Sequence, residues 1–249
     1  DISAVGTAAE AGKTISEEDL HTIRQSLNFS YAHQAATAAP SKQTATDRKG
    51  RVKDAEAAEK APEDRNIRRK WRRPAFLSQE LSGTEYGTAM HTVLQYISYD
   101  RCGSTPEIAG EIVRLTEMGC LTKQQADCID PETVGHFFSS DLGRKLRSGV
   151  PHLREFKFSL LDDGSHYDPE LAGEQVLLQG VVDCAILEED GITVIDFKTD
   201  RVTEDYLAET VNRYRPQVQT YAEALEKIYE LPVKENYLYF FRLNRFVKI

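Results

Sequence analysis

From residue 76 onward, the apolar positions follow first one periodicity and then another. Between residues 84 and 97, Tyr86, Met90, Val93, Leu94 and Ile97 recur at helical spacing, which predicts a half-buried amphipathic helix. Residues 103–149 continue with Ile108, Ile112 and Val113, then Val134, Phe137, Phe138, Leu142 and Leu146, and predict a mostly helical stretch. The pattern then shortens. Residues 153–161, 174–187 and 192–198 are dense in Val, Ile, Leu and Phe and predict strands. The last two of these are joined by the turn Glu188-Glu189-Asp190-Gly191. A helix is expected over residues 216–229, with Pro216 in its favoured first turn. A final strand is expected over residues 236–243. The predicted order is helix, helical insertion, three strands, helix, strand.

Residues 1–75 have no such sustained pattern. They are rich in Ala, Thr, Lys and Glu and predict an extension or linker, partly helical or disordered, ahead of a domain at 76–249. One short amphipathic helix is legible: Ser16-Glu17-Glu18-Asp19 has the form of an N-cap with an acidic first turn, and Leu20, Ile23 and Leu27 follow. The charged, Ala-rich residues 47–60 fit a helix and a disordered chain equally well. The chain opens on Asp1 with no charged-then-apolar leader, and the expectation is a piece of a longer protein.

Composition removes several classes. No apolar run approaches the roughly 18 residues that a bilayer span requires, so no membrane role is expected. Cys102, Cys120, Cys128 and Cys184 form no C-x-x-C pair, which argues against a zinc knuckle or an iron–sulfur cluster. Ordinary thiols in a reducing cytoplasm are the expectation. Gly12-Lys13-Thr14 ends like a phosphate-binding loop, but Thr7 stands where the first glycine belongs and no apolar strand precedes it. A net charge of −9 looks wrong for a partner of nucleic acid. Local distribution decides that question, because carboxylates gathered in one place leave basic residues free to form a positive surface in another. Basic residues crowd the stretch from Arg65 to Arg73 and return at Arg213, Arg215, Arg242, Arg245 and Lys248. A solvated face and a phosphate contact account for the first cluster equally well.

The chemistry concentrates in Gly180-Val181-Val182-Asp183 and Ile195-Asp196-Phe197-Lys198-Thr199-Asp200. Asp183 and Asp196 fall on two strands joined by a tight turn, and such a hairpin brings both carboxylates to one face. Asp196 and Lys198 are two apart on one strand and project to that same face. Acids inside apolar strands are costly unless a cation balances them, and hard oxygen ligands suit Mg²⁺, with Mn²⁺ as the alternative. Glu155, in Arg154-Glu155-Phe156-Lys157-Phe158, is positioned to join as a third acid, although a solvent-facing strand glutamate is common. His91 lies beside the apolar stripe of the first helix, where a packed or capping histidine is the commoner case. Gln217 and Tyr221 are one helical turn apart and face one way, as a plain surface pair also would.

Gly-Thr-Ala-Met-His, Arg-Glu-Phe-Lys-Phe, Gly-Val-Val-Asp, Asp-Phe-Lys-Thr-Asp and Gln-Val-Gln-Thr-Tyr-Ala-Glu-Ala-Leu, in that order, resemble the RecB-type nuclease domain of the PD-(D/E)XK superfamily. The similarity is closest to the C-terminal nuclease domain of AddA-type helicase–nuclease subunits. Pro40-Ser41-Lys42-Gln43-Thr44-Ala45-Thr46-Asp47-Arg48-Lys49 is similar to the linker that precedes such domains, with Arg48 in place of an apolar residue. The resemblance implies an α/β fold with a restriction-endonuclease-like core of helix, three strands, helix and strand around a mixed central sheet, here with a helical insertion and an N-terminal extension. It implies that His91, Asp183, Asp196 and the Phe197 carbonyl hold the metal, that Glu155 supports the metal or its water, that Lys198 is catalytic, and that Gln217 and Tyr221 line the site. The expected substrate is single-stranded DNA, fed by helicase domains of the same parent chain that work with a second, AddB-type subunit in double-strand break repair. A non-catalytic DNA-binding or docking module on the same fold is the alternative.

Overall fold

A computed structural model describes residues 16–29, 31, 33–45 and 83–249. The basic cluster from Arg65 to Arg73, the Gly12-Lys13-Thr14 decoy and the charged stretch 47–60 lie outside the described residues. The chain begins with helices α1 (Glu17–Leu27) and α2 (Gln34–Ala38) and strand β1 (Lys42–Thr44). Helix α3 (Gly83–Tyr96) follows, then four helices of the insertion: α4 (Thr105–Glu117), α5 (Lys123–Cys128), α6 (Pro131–Ser139) and α7 (Asp141–Arg147). Strands β2 (His152–Asp163), β3 (Gln175–Glu188) and β4 (Gly191–Lys198) come next. Helix α8 (Glu204–Tyr229) and strands β5 (Val233–Phe240) and β6 (Arg245–Lys248) complete the order. The expected helix, insertion, strands, helix and strand all form, around a mixed sheet.

Strand β3 organises that sheet. Residues 175–186 of it run antiparallel against β2 on one side, with the ladder interrupted at Asp183. On the other side two strands share it end to end: β1 runs parallel against residues 177–179, and β4 runs antiparallel against residues 184–188. Between them, residues 180–183 have no ladder partner on that side among the described residues. Gly180 opens this stretch, and a Cβ there would meet the Phe158 ring at 2.5 Å and the Ala45 Cβ at 3.2 Å. Strand β5 then pairs parallel with β4, and β6 closes the sheet antiparallel to β5.

The two faces carry separate cores. On one, α3 and the insertion pack Met90, Val93, Ile97, Ile108, Phe137 and Phe138 against Cys184, Ile186, Ile195 and Phe197. On the other, α8 packs Val211, Tyr214, Val218, Tyr221 and Leu225 against Val182, Ala185, Val194, Leu238 and Phe240. Alternation along β4 feeds both faces, so all eight of its residues are buried.

Three expectations are corrected. The helix predicted from Pro216 begins twelve residues earlier, at Glu204, and Pro216 sits inside it. An interior proline forfeits a hydrogen bond and costs about 3 kcal/mol. The buried stripe Leu207, Val211, Tyr214, Val218, Tyr221 and Leu225, at alternating steps of four and three, offsets it. Part of the stretch read as an extension belongs to the sheet: Lys42–Thr44 is a strand, and Ala45 behind it is buried. Strand β6 had no counterpart in the prediction, because four residues carry too little alternation to register. Helix α1 forms as read, with a reciprocal capping box between Ser16 and Asp19.

Candidate active site

Strand register assembles the acids. Arg154 pairs with Cys184 and Phe156 with Val182, so Glu155 stands opposite Asp183. The ladder between β3 and β4 ends at the pair Cys184–Ile195. Asp183 and Asp196 are the next residues beyond it on the two strands, where the Asp183 side chain accepts the Phe197 N–H. Glu155, Asp183 and Asp196 therefore form a row across β2, β3 and β4. Glu155 adopts φ 46°, a left-handed conformation that a non-glycine residue takes at a cost of about 1–3 kcal/mol. Its neighbour Arg154 is tied down on the α3 side. That guanidinium donates to the carbonyls of Gln95 (3.2 Å) and Ile97 (2.7 Å) and lies 3.4 Å from the centre of the Tyr99 ring. The same contact fixes the C-terminal end of α3 against β2, and α3 carries His91.

Two parts of the site differ in character. On the α3 side, His91 Nδ1 lies 3.2 Å from Glu155 Oε1 and 3.6 Å from Asp183 Oδ1. One ligand atom from each of His91, Glu155 and Asp183 falls within 4.8 Å of the others, spacing that suits a shared metal ion. Helix α3 comes close to the end of β4 at Gly87, where a Cβ would stand 3.0 Å from Thr199 Oγ1. On the α8 side, Lys198 Nζ lies 2.8 Å from Asp196 Oδ2, and both side chains are buried. The Lys198 ammonium also rests 3.9 Å from the centre of the Tyr214 ring. Gln217 Nε2 donates to the Tyr221 hydroxyl at 2.5 Å, and Gln217 Oε1 is buried with no hydrogen-bond partner.

The electrostatics follow from this crowding. Burial pushes the Asp183 carboxyl up, His91 pulls it down and Asp196 raises it again, for a pKa of about 7. Burial disfavours the His91 cation, but Asp183 and Glu155 outweigh that and raise it to about 9. Burial likewise works against Lys198, yet Asp196, Tyr214 and Asp183 hold it above the ordinary lysine value. Burial raises the Tyr221 hydroxyl, and the charges of Asp196 and Asp183 raise it further.

The donor set fits a divalent cation. Asp196 Oδ1 is buried with no hydrogen-bond partner, an expensive arrangement for a carboxylate oxygen unless a cation meets it. Asp183 Oδ2 accepts the Phe197 N–H at 2.7 Å, which orients the carboxylate and leaves Oδ1 on the His91 side. Two carboxylates, an imidazole and a third acid beside them form a hard, mostly oxygen environment that suits a divalent cation.

All of the side chains predicted for the site converge on these two neighbouring parts. Asp196 stands apart from the tight His91–Glu155–Asp183 group and is joined to it through the row and through Lys198. Arg154 and Tyr214 were not singled out from the sequence, although Tyr214 lies three residues before Gln217 on the same helical face. The four cysteines are free and take no part, and burial pushes the Cys102 and Cys184 thiols up to about 12. Of the later basic residues, Arg245 pairs with Glu204 at 2.8 Å and Lys248 with Glu235 at 2.9 Å, while Arg213 lies 4.9 Å from the centre of the Tyr214 ring. Among the described residues no helix is long and apolar enough to cross a membrane.

The family model of the PD-(D/E)XK nuclease superfamily matches residues 63–247. The chain is 37% identical over 245 residues to the A subunit of an ATP-dependent helicase/nuclease from Moorella thermoacetica, a match covering 95% of this chain and 17% of that protein. It is 31% identical over 234 residues to the corresponding protein of Clostridium novyi, covering 91% of this chain and 19% of that protein. It is 34% identical over 246 residues to the corresponding protein of Bacillus cereus, covering 94% of this chain and 20% of that protein. The chain thus spans about one fifth of the length of the curated relatives it matches.

Proposed function

The chain belongs to the PD-(D/E)XK nuclease superfamily, and from that premise we propose that it is a Mg²⁺-dependent deoxyribonuclease of exonuclease type, acting on single-stranded DNA. The observation that carries this reading is the row Glu155–Asp183–Asp196 with His91 at one side and Lys198 buried at the other. His91, Asp183, Asp196 and the Phe197 carbonyl would hold the ion. When bound, a divalent cation supplies Lewis-acid activation of the phosphodiester and a water nucleophile at neutral pH. The protein's part is placement and charge. Asp183 is oriented by the Phe197 N–H, and Glu155, held by its strained backbone, orients the attacking water together with His91. Lys198 presents a permanent positive charge to the charge developing on the phosphate. Gln217 and Tyr221 line the floor, where an unpartnered amide oxygen is available to a substrate or water.

The names of the relatives favour a setting in a larger chain. We read this unit as the nuclease part of a helicase–nuclease that works in the cytoplasm on broken DNA ends, with helicase domains in the same parent chain and a second, AddB-type subunit beside it. The unit itself needs no ATP for cleavage.

The test is a cleavage assay on a single-stranded oligonucleotide in Mg²⁺, Mn²⁺, Ca²⁺ or chelator. Cleavage in Mg²⁺ or Mn²⁺ without ATP, and none in Ca²⁺ or chelator, is expected. Binding without cleavage under every condition would leave a non-catalytic DNA-binding or docking module on this fold.

A further inference from the structure

We infer that Tyr214 is the positioning residue for Lys198, its aromatic face holding the ammonium group in place. This rests on the catalytic role proposed for Lys198. Strand β4 presents Asp196 and Lys198 on one face, and α8 lies across that face with Tyr214, Gln217 and Tyr221 turned toward it. Lys198 is buried, so water does not surround its ammonium group. Asp196 Oδ2 meets it at 2.8 Å, and the Tyr214 ring meets it with a centroid distance of 3.9 Å. A ring face attracts a cation through its quadrupole, and the attraction is strongest where the cation is desolvated.

The ring is itself held. The Tyr214 hydroxyl donates to Asp200, with oxygens at 3.0 and 3.2 Å, just beyond the end of β4. Tyr214 is buried, and its neighbours Val211 and Val218 pack into the same core. The phenol is therefore clamped between the residue that follows β4 and the lysine near that strand's end. Lysine is a long, flexible chain carrying a compact charge. With only Asp196 to face, the ammonium is free to swing along that carboxylate and toward Asp183. With the ring behind it, the charge is confined to one side of Asp196. The lysine's charge is supplied by its own chemistry, while its place is supplied by Tyr214.

The geometry separates two functions within one side chain. The ring face acts on Lys198 and the hydroxyl anchors the ring. The interior Pro216, which lies two residues further along α8, removes one helical hydrogen bond near this point, so packing of the ring rather than helix rigidity fixes the spot.

The test uses single-turnover cleavage of a single-stranded oligonucleotide in Mg²⁺, with oligonucleotide affinity measured separately in Ca²⁺. Tyr214→Leu is expected to lower the turnover rate about 10–30-fold with affinity and KM unchanged, the scale of a desolvated cation–π contact. Tyr214→Phe, which keeps the ring, is expected to restore most of the rate. In a Lys198→Ala background, Tyr214→Leu should add no further loss, because the two residues act as one unit. Should Tyr214→Leu fold poorly, mono-, di- and trifluorinated phenylalanine at position 214 keep the shape while draining the ring face, and the rate should fall stepwise. Equal rates across the fluorinated series, or full additivity with Lys198→Ala, would overturn the positioning role. If Lys198→Ala itself cleaves at the wild-type rate, the failure lies instead in the catalytic role assigned to Lys198; if the wild-type protein does not cleave at all, it lies in the nuclease reading beneath both.

Discussion

The two parts of the site, one on each side of the row of acids, differ in their access to water. On the α3 side, the side chains of His91, Glu155 and Asp183 remain 31%, 22% and 10% exposed. On the α8 side, those of Lys198 and Asp196 are 6% and 1% exposed. The first is a rim, partly open to solvent. The second is a floor, almost closed to bulk solvent. From that difference the expectation is that substitutions at the rim change metal dependence, whereas substitutions at the floor change mainly the rate.

If this division holds, the largest effect belongs to Asp196. Asp196→Asn should reduce cleavage in Mg²⁺ to background, and no increase in metal concentration should restore it. Asparagine is preferable to alanine because it keeps the side chain's shape and an oxygen that accepts from the Lys198 ammonium. Either substitution removes the counter-charge of that buried cation, a loss on the order of 3–5 kcal/mol that a melting curve must show the protein survives. Substantial cleavage by a folded Asp196→Asn protein would refute the floor as the seat of the reaction. Next comes Lys198→Ala, expected to lose about 10²–10³-fold in single-turnover rate while keeping its affinity for DNA in Ca²⁺. Lys198→Arg should recover little, since a planar fork does not fit the space between Asp196 and the Tyr214 ring. A loss of affinity in step with rate would make Lys198 a binding residue instead.

At the rim the losses should be smaller and reversible. Glu155→Gln is expected to weaken apparent Mg²⁺ affinity by about 10–100-fold, the range for residues that orient a metal's ligands. Saturating metal should return most of the rate. If high Mg²⁺ leaves the defect untouched, rim and floor are not distinct.

The smallest effect is a pH dependence confined to the rim. His91, raised from 6.5 to about 9, contributes stability that is fully present below its unfolded pKa and is lost as pH rises through about 9. Asp183, raised from 3.8 to about 7, binds its proton more tightly when folded, so its contribution also declines as pH rises, here between 3.8 and about 7. Metal-free protein should therefore lose thermal stability between about pH 4 and pH 9 from these two groups. Added Ca²⁺ or Mg²⁺ displaces both protons, so its stabilisation should grow over the upper part of that window. Melting temperatures across pH, with and without metal, decide the matter. A stabilisation by metal that is flat from pH 6 to pH 9 would show that neither proton is released.

Much of this arrangement was legible in the residues. The acids declared themselves by standing inside apolar strands, where a solvated carboxylate is out of place, and the two-residue offset of Lys198 followed from strand alternation alone. The tight turn after Glu188 brought two of the acids together, whereas the place of Glu155 depended on the pairing of β2 with β3 across the longer connection at residues 164–174. What stayed hidden came from tertiary packing. Helix α8 extends back to Glu204 because its apolar stripe finds a core to cover, and no local rule at Pro216 reports that. Tyr214 carries no motif, and its importance appears only once α8 is laid across β4. The left-handed backbone of Glu155 is likewise a product of the assembled site, because nothing in Arg154-Glu155-Phe156 asks for it.

Strand β1 bears on where the unit can be cut. It occupies the side of β3 along residues 177–179, and Ala45 behind it fills the space against Gly180 and Phe158. A polypeptide starting at residue 76 would lose that cover and present a bare hydrogen-bonding edge near the start of its longest strand, an invitation to self-association. Trimming to about residue 40 should yield soluble monomer, whereas trimming to 76 should drive aggregation even though every metal ligand is retained. The expected N-terminal limit of a soluble unit is therefore set by the need to cap a sheet edge, some 40 residues upstream of α3.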